Sequence, residues 1–121
     1  MKVEKLSENT YKILGQFGFI VEFHPSDVDV TFKAYRIIST DFDGIPYETE
    51  LYLEGNVKWD GCMNWAQGHD HKYGHFCESE QIFKHCLLLE FIYKQSQSIL
   101  TEIDPFYAEQ FDEWPSLEYD K

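Results

Sequence analysis

Basic residues are scarce in this chain, and their scarcity argues against several functions. Ten Lys and Arg residues stand against 22 Asp and Glu residues, so the formal net charge is −12. A protein that binds the nucleic-acid backbone or an anionic membrane surface needs a basic footprint, which this composition does not supply. The charge instead favours a basic protein partner, because opposite charges steer the encounter of two proteins.

Nucleotide-binding and hydrolase motifs are missing as well. The sequence contains no G-x-x-x-x-G-K-[ST], no G-x-G-x-x-G and no G-x-S-x-G. It therefore predicts neither a phosphate-binding glycine loop nor the nucleophile turn of an α/β-hydrolase. Carboxylate chemistry is not predicted either, since glutamates along one strand are typical of a solvated face.

Long hydrophobic runs do not occur, and cysteines are few. No stretch reaches the roughly 18 apolar residues that would span a bilayer, and Met1 to Lys5 lack the apolar core of a signal peptide. The three cysteines are an odd number without the spacing of a disulfide framework, which favours free thiols in a reducing compartment. We therefore expect a cytoplasmic protein.

Aromatic residues, in contrast, are plentiful. They make up 17% of the 121 residues, within a hydrophobic fraction of 43%. A chain of this length and composition is typical of one folded domain over residues 1–121, and disorder is not expected for most of it. One small core cannot hold every ring, so some aromatic side chains should remain exposed.

Residues 1–59 read mainly as strands because apolar and polar residues alternate with a period of two. In the clearest run, Leu51, Leu53, Val57 and Trp59 form the inward set. The opposite set, expected to face solvent, is Glu48, Glu50, Tyr52, Glu54, Asn56 and Lys58. Short connections between successive runs favour an antiparallel meander of four or five strands.

The period changes over residues 79–100, where apolar residues recur at helical spacing. Ser79 can cap the start of this helix, and the apolar stripe around Leu89 is wide enough to predict deep burial against the sheet. Residues 60–78 read as an irregular loop and residues 101–121 as an acidic, aromatic extension. The predicted fold is therefore α+β, with one long C-terminal helix packed on one face of the sheet.

Reactive and large aromatic side chains gather around the loop that follows the strands. Five residues there are candidates for the lining of a cleft: Trp59, Asp60, Cys62, Asn64 and Trp65. Asp60 and Gly61 suit a tight turn, so the same stretch also reads as a structural corner. A further alternative is thiol catalysis by Cys77 paired with His75. The competing interpretation is that Cys77 is a small buried apolar residue without reactivity.

A zinc site is the metal alternative for this loop. Cys62, His75 and Cys77 are residue types that bind zinc, but their spacing lacks the C-x₂-C pair of common zinc motifs. A polar loop that carries histidines by chance explains the same residues. We expect no cofactor, and we keep zinc as the alternative that metal analysis decides.

The acidic extension is the candidate surface for a partner. Residues 101–121 carry seven acids and one lysine, which amounts to half of the net charge. Acids interleaved with aromatic rings suit docking onto a basic protein, with rings as anchors and carboxylates as steering charges. The candidate residues are Asp104, Phe106, Tyr107, Phe111, Asp112, Glu113 and Trp114. The alternative is a solubilising tail that folds back to cover the helix.

These observations favour a small acidic protein that acts by binding another protein rather than by catalysis. The concrete hypothesis is an inhibitor or immunity-type antidote, of bacterial or phage type, for a basic, nucleic-acid-binding partner. Two alternatives stay open: a metal- or thiol-dependent enzyme or sensor built on Cys62, His75 and Cys77, and a small-molecule binding module between sheet and helix. The oligomeric state does not follow from the sequence.

Overall fold

Each strand of the sheet pairs with the strand that follows it along the chain. The computed structural model describes residues 2–15, 17–67 and 79–114. Within these residues, six antiparallel strands lie in sequence order across one sheet. They are β1 Val3–Ser7, β2 Thr10–Ile13, β3 Phe19–Pro25, β4 Asp29–Thr40, β5 Pro46–Lys58 and β6 Met63–Gln67. The predicted α+β class is confirmed, whereas the predicted count of four or five strands is too low.

Strand β6 lies inside the segment that the sequence predicted to be irregular. Met63 pairs with Val57 and Trp65 pairs with Gly55, so β6 extends the sheet beyond β5. Its five residues contain too few apolar positions to establish a period. The strand is defined by its ladder to β5, which no local pattern reveals.

Helix α1 spans Ser79–Ile103 and so continues beyond its predicted end at residue 100. Asp104 stops it, with an extended backbone (φ −149°, ψ 112°) as expected for a residue before proline. The Asp104 carboxylate then accepts a 3.0 Å hydrogen bond from the Phe106 N–H and caps a 3-10 helix, Pro105–Gln110. In the part of the chain that the structure describes, no helix has the length and apolar character needed to cross a membrane.

The core lies between α1 and one face of the sheet. Phe23 of β3 and Phe32 of β4 pair directly and are almost completely buried. The Phe91 ring of α1 lies 6.1 Å from the Phe23 ring, which places the helix over these strands. Apolar residues at spacings of three and four form one stripe along the helix. The buried members of that stripe include Leu88, Leu89, Ile92, Tyr93 and Leu100.

A β-bulge in β5 places Tyr52 in the core. Ala34 pairs with Leu53 and Tyr35 pairs with Leu51, so Tyr52 is an extra residue between two paired positions. An inserted residue shifts the alternation of the strand. Tyr52 is accordingly 3% exposed, and its ring lies 5.0 Å from the Phe19 ring. The prediction that Tyr52 faces solvent was wrong, because strict alternation along β5 makes no allowance for a bulge.

We expect Gly55→Ala to lower the free energy of unfolding by about 1–3 kcal/mol. A Cβ atom at position 55 would overlap the backbone carbonyl oxygen of Asn64 on β6, so the two strands would have to separate. Urea denaturation measures the change. Glu54→Ala, at the neighbouring exposed position, is the control and should change stability by less than about 0.5 kcal/mol. Equal losses in the two variants would contradict this account of β5 and β6.

Candidate functional site

The C-terminal extension, predicted to carry the partner site, folds back onto its own chain as far as residue 114. The rings of Phe111 and Trp114 lie 5.2 and 5.0 Å from the Tyr93 ring of α1. The Tyr93 hydroxyl donates a 2.8 Å hydrogen bond to the carbonyl oxygen of Asp112. Burial of this hydroxyl and the nearby Asp112 carboxylate raise the Tyr93 pKa above its ordinary value of 10.

Only part of the predicted partner site is therefore open to solvent. Phe111 is 9% exposed, and the Tyr107 ring packs 5.7 Å from Trp59. A ring that is already buried in its own chain is not available as an anchor for another protein. The members of the predicted set that stay exposed are Asp104, Phe106, Asp112 and Glu113. Their role in partner binding remains a prediction.

The predicted cleft residues build the turn between β5 and β6. The Gly61 N–H donates to the Lys58 carbonyl, and the Cys62 N–H donates to the Asp60 carboxylate at 3.0 Å. Gly61 has a φ of +84°, a conformation that glycine adopts without strain. The described contacts fit the structural corner that the sequence suggested. The remaining members of the set, Trp59, Asn64 and Trp65, are all exposed, Trp59 at 38% and Trp65 at 45%. The prediction that Trp59 belongs to the inward set of its strand was wrong, because β5 ends at Lys58 and Trp59 already lies in the turn.

The predicted zinc ligands are placed only in part. Cys62 is exposed, and the amide of Asn64 lies 3.8 Å from its sulfur. His75 and Cys77 lie outside the described residues, so the zinc alternative stays a prediction. Among the residues that the structure describes, no group of three or more His, Cys, Asp or Glu side chains is positioned to hold a metal ion.

His85 and Tyr52 form a polar pair at the edge of the core that the sequence analysis missed. The Tyr52 hydroxyl lies 2.8 Å from Nδ1 of His85, and the two rings meet edge to face. Burial lowers the pKa of His85 below 6.5, because desolvation penalises the imidazolium. The bulge at Tyr52 makes this contact, so alternation alone gave no signal for it.

We expect the His85 pair to make folding stability depend on pH. The unfolded chain binds a proton at His85 near pH 6.5, whereas the folded chain binds it only at lower pH. Stability should therefore be complete above about pH 6.5 and should fall as the pH drops from there through the lower folded-state pKa. Urea denaturation between about pH 7.5 and 5 measures the slope. His85→Gln should flatten it; His24→Gln, at an exposed site, is the control, and equal slopes in both variants would contradict the mechanism.

Exposed apolar side chains gather at the end of the sheet where β4 turns into β5. We call the four residues Phe17, Ile38, Phe42 and Tyr47 the hairpin-end surface. They border a shallow depression of about 670 Å³ together with Ser39, Thr40 and Asp41. Phe42 is fully exposed, and Tyr47 and Phe17 are 71% and 57% exposed. A contiguous apolar patch with a polar border is typical of a protein-interaction site.

The hairpin that carries this surface is acidic near its tip. Residues 37–49 contain three acids and no Lys or Arg, whereas Lys2 and Lys12 lie beside the tip on the side of β1 and β2. On the flank next to Phe17 and Ile38 lie Arg36 and Lys84, and the Arg36 guanidinium holds the Glu50 carboxylate at 2.6 Å. The signal in the sequence that could have identified this surface is a phenylalanine in the middle of a polar turn, Asp41-Phe42-Asp43-Gly44.

Comparison with known proteins finds no matching family model, no matching curated protein and no matching solved structure.

Proposed function

We propose that this protein acts by binding another protein whose surface is basic. The observation that carries the proposal is the hairpin-end surface, which exposes aromatic and aliphatic side chains within an acidic stretch of chain. Exposed rings can anchor a complex because they bury a large apolar area on binding. The surrounding carboxylates favour a partner rich in Lys and Arg and accelerate its approach.

The net charge of −12 supports the same proposal over a longer range. Such a charge repels nucleic acid and attracts proteins that bind nucleic acid through basic surfaces. An acidic protein that occupies such a surface would compete with the nucleic acid. The function we propose is therefore an inhibitor or immunity-type antidote, in the cytoplasm, of a basic nucleic-acid-binding protein.

Two charge reversals at opposite ends of the molecule test this proposal. Glu48 is exposed beside Tyr47, and Glu109 is exposed in the 3-10 helix near the far end of β5. At about 3.3 Å per residue, the 13 residues of β5 separate the two ends by roughly 40 Å. Glu48→Lys and Glu109→Lys change the net charge equally. A difference between their affinities for the partner therefore reports the charge at the hairpin-end surface rather than the net charge of the protein.

The experiment begins with capture of partners from the source cells on immobilised full-length protein at low salt, with elution by salt. We expect a basic protein to be retained, and its purified form to bind Glu48→Lys roughly tenfold more weakly than wild type. Glu109→Lys should change the affinity by less than about threefold, because salt screens charges beyond about 10 Å. Retention of no basic protein, or equal weakening by both reversals, would refute the proposal.

A further inference from the structure

The loop at the tip of the β4–β5 hairpin is held in shape by its own hydrogen bonds. The Asp41 N–H donates to the Ile45 carbonyl at 3.0 Å, and the Gly44 N–H donates to the Asp41 carbonyl at 3.1 Å. One carboxylate oxygen of Asp41 accepts from the N–H groups of Asp43 and Ile45, both at 2.9 Å. Gly44 has a φ of +79°, which glycine adopts without strain. The loop is thus ordered before any partner binds.

The tip is also fastened to the body of the sheet. The Lys12 ammonium of β2 donates a 3.3 Å hydrogen bond to the Gly44 carbonyl. Lys12, Asp43 and Gly44 also line a pocket of about 280 Å³ between the tip and the strands β1 and β2. This bond joins the tip to β2, in addition to the β4–β5 ladder that ends at Thr40 and Pro46.

Phe42 differs from the other members of the hairpin-end surface. Its side chain is fully exposed, whereas Phe17, Ile38 and Tyr47 retain some cover from the sheet. A ring held in water by an ordered loop contributes little to its own core. It is prepared for binding, however, because a rigid aromatic side chain on a fixed backbone loses little conformational entropy when it enters a pocket.

The charged residues next to Phe42 indicate which features a binding pocket on the partner protein must have. Asp41 and Asp43 flank the ring along the chain, and the Asp41 carboxylate is already used inside the loop. Asp43 is exposed beside a pocket that Lys2 and Lys12 also line, and among the described residues its carboxylate accepts no hydrogen bond, so it can still pair with a cation on a partner. A complementary site therefore has an apolar floor for the ring and a cationic rim for the carboxylate.

We propose that Phe42 is the anchor of the complex and enters an apolar pocket that is rimmed by Lys or Arg on the partner protein. This inference rests on the proposed function and adds to it the contact residue and the shape of the partner's site. It predicts that Phe42 and Asp43 affect different rate constants of the complex. Phe42 governs how slowly the complex dissociates, and Asp43 governs how fast it forms.

Photo-crosslinking locates the contact. The full chain is prepared with benzoylphenylalanine in place of Phe42 and, as the matched control, in place of Phe106, which is 56% exposed at the far end of the molecule. Both proteins are irradiated with the basic protein captured from the source cells. We expect an adduct from position 42 only, mapped to an apolar segment of the partner with neighbouring Lys or Arg. An adduct from position 106 alone, or from position 42 to a second copy of this chain, would overturn the inference.

Binding kinetics then test whether the two residues affect different rate constants. Phe42→Ala should raise the dissociation rate about tenfold or more and change the association rate by less than about threefold. Asp43→Asn should slow association and weaken its dependence on salt, with little change in dissociation. Val28→Ala, at a position that is 54% exposed near the opposite end of β4, is the control and should match wild type. If the basic partner binds but Phe42→Ala dissociates at the wild-type rate, the inference fails while the proposed function stands; if no basic partner binds at all, both fail.

Discussion

Phe23→Ala should lower the free energy of unfolding by about 3–5 kcal/mol. Phe23 is 2% exposed, and its ring lies 5.9 Å from the Tyr11 ring and 6.1 Å from the Phe91 ring. Removal of the ring leaves a cavity at the point where β2, β3 and α1 meet. The cost combines the lost transfer of the ring out of water with the lost contacts of the atoms that lined it.

The control for this prediction is Phe42→Ala, which is the same chemical change at a fully exposed position. It should alter stability by less than about 0.5 kcal/mol, as is usual for surface sites away from special features. Urea denaturation of the two variants and the wild type gives both values. Similar losses at positions 23 and 42 would mean that the Phe42 ring is packed in its own chain rather than exposed, and that it is not an anchor for a partner.

Phe111→Ala should cost about 3 kcal/mol, because this ring ties the C-terminal extension to the rest of the fold. The ring is 9% exposed and packs 5.2 Å from Tyr93 of α1. Its backbone also lies close to Gly61, where a Cβ atom would come within 3.2 Å of the Phe111 Cα. The Phe111 side chain therefore packs on the helix, while the Phe111 backbone lies against the turn between β5 and β6.

Phe106→Ala is the matched control within the same extension. Phe106 is 56% exposed, so its loss should change stability by less than about 0.5 kcal/mol. Thermal or urea unfolding distinguishes the two variants, and limited proteolysis should show earlier cleavage near residue 104 only in Phe111→Ala. If both substitutions proved neutral, the extension would not be part of the fold, and its rings would again be candidates for partner binding.

The sheet and the helix could be predicted because their periods are strong. Phe19, Val21 and Phe23 alternate without interruption along β3, and the stripe around Leu89 keeps helical spacing over several turns. Such patterns report which face of an element is buried, and the structure buries those faces. For β3 and α1, the local period alone was enough to identify the buried face.

Contacts between residues far apart in the chain determine the features that the sequence did not predict. Strand β6 exists through its ladder to β5, and Tyr52 is turned inward by a bulge that only the pairing with β4 reveals. The extension illustrates a further limit. Acids beside Phe111 and Trp114 suggested a surface, but composition does not distinguish a ring that binds a partner from a ring that covers the chain's own helix.

The charge of the chain favours a class of partner but does not point to a place on the molecule where such a partner would bind. Half of the net charge lies in residues 101–121, which directed attention to the extension. The hairpin-end surface became visible only with the exposure of Phe42 and Tyr47. A sequence reports where charge is concentrated; whether an apolar side chain is left uncovered depends on the packing of the whole molecule.

The order of the elements along the chain has a consequence for synthesis on the ribosome. All six strands precede α1, so the face that carries Phe23 and Phe32 is made before the helix that covers it. Because each strand pairs with its neighbour in sequence, the meander can form step by step as the chain emerges. Until residues 79–103 have been synthesised, that face is an exposed apolar surface on the nascent chain and can aggregate. The time for which it is exposed depends on the rate of translation.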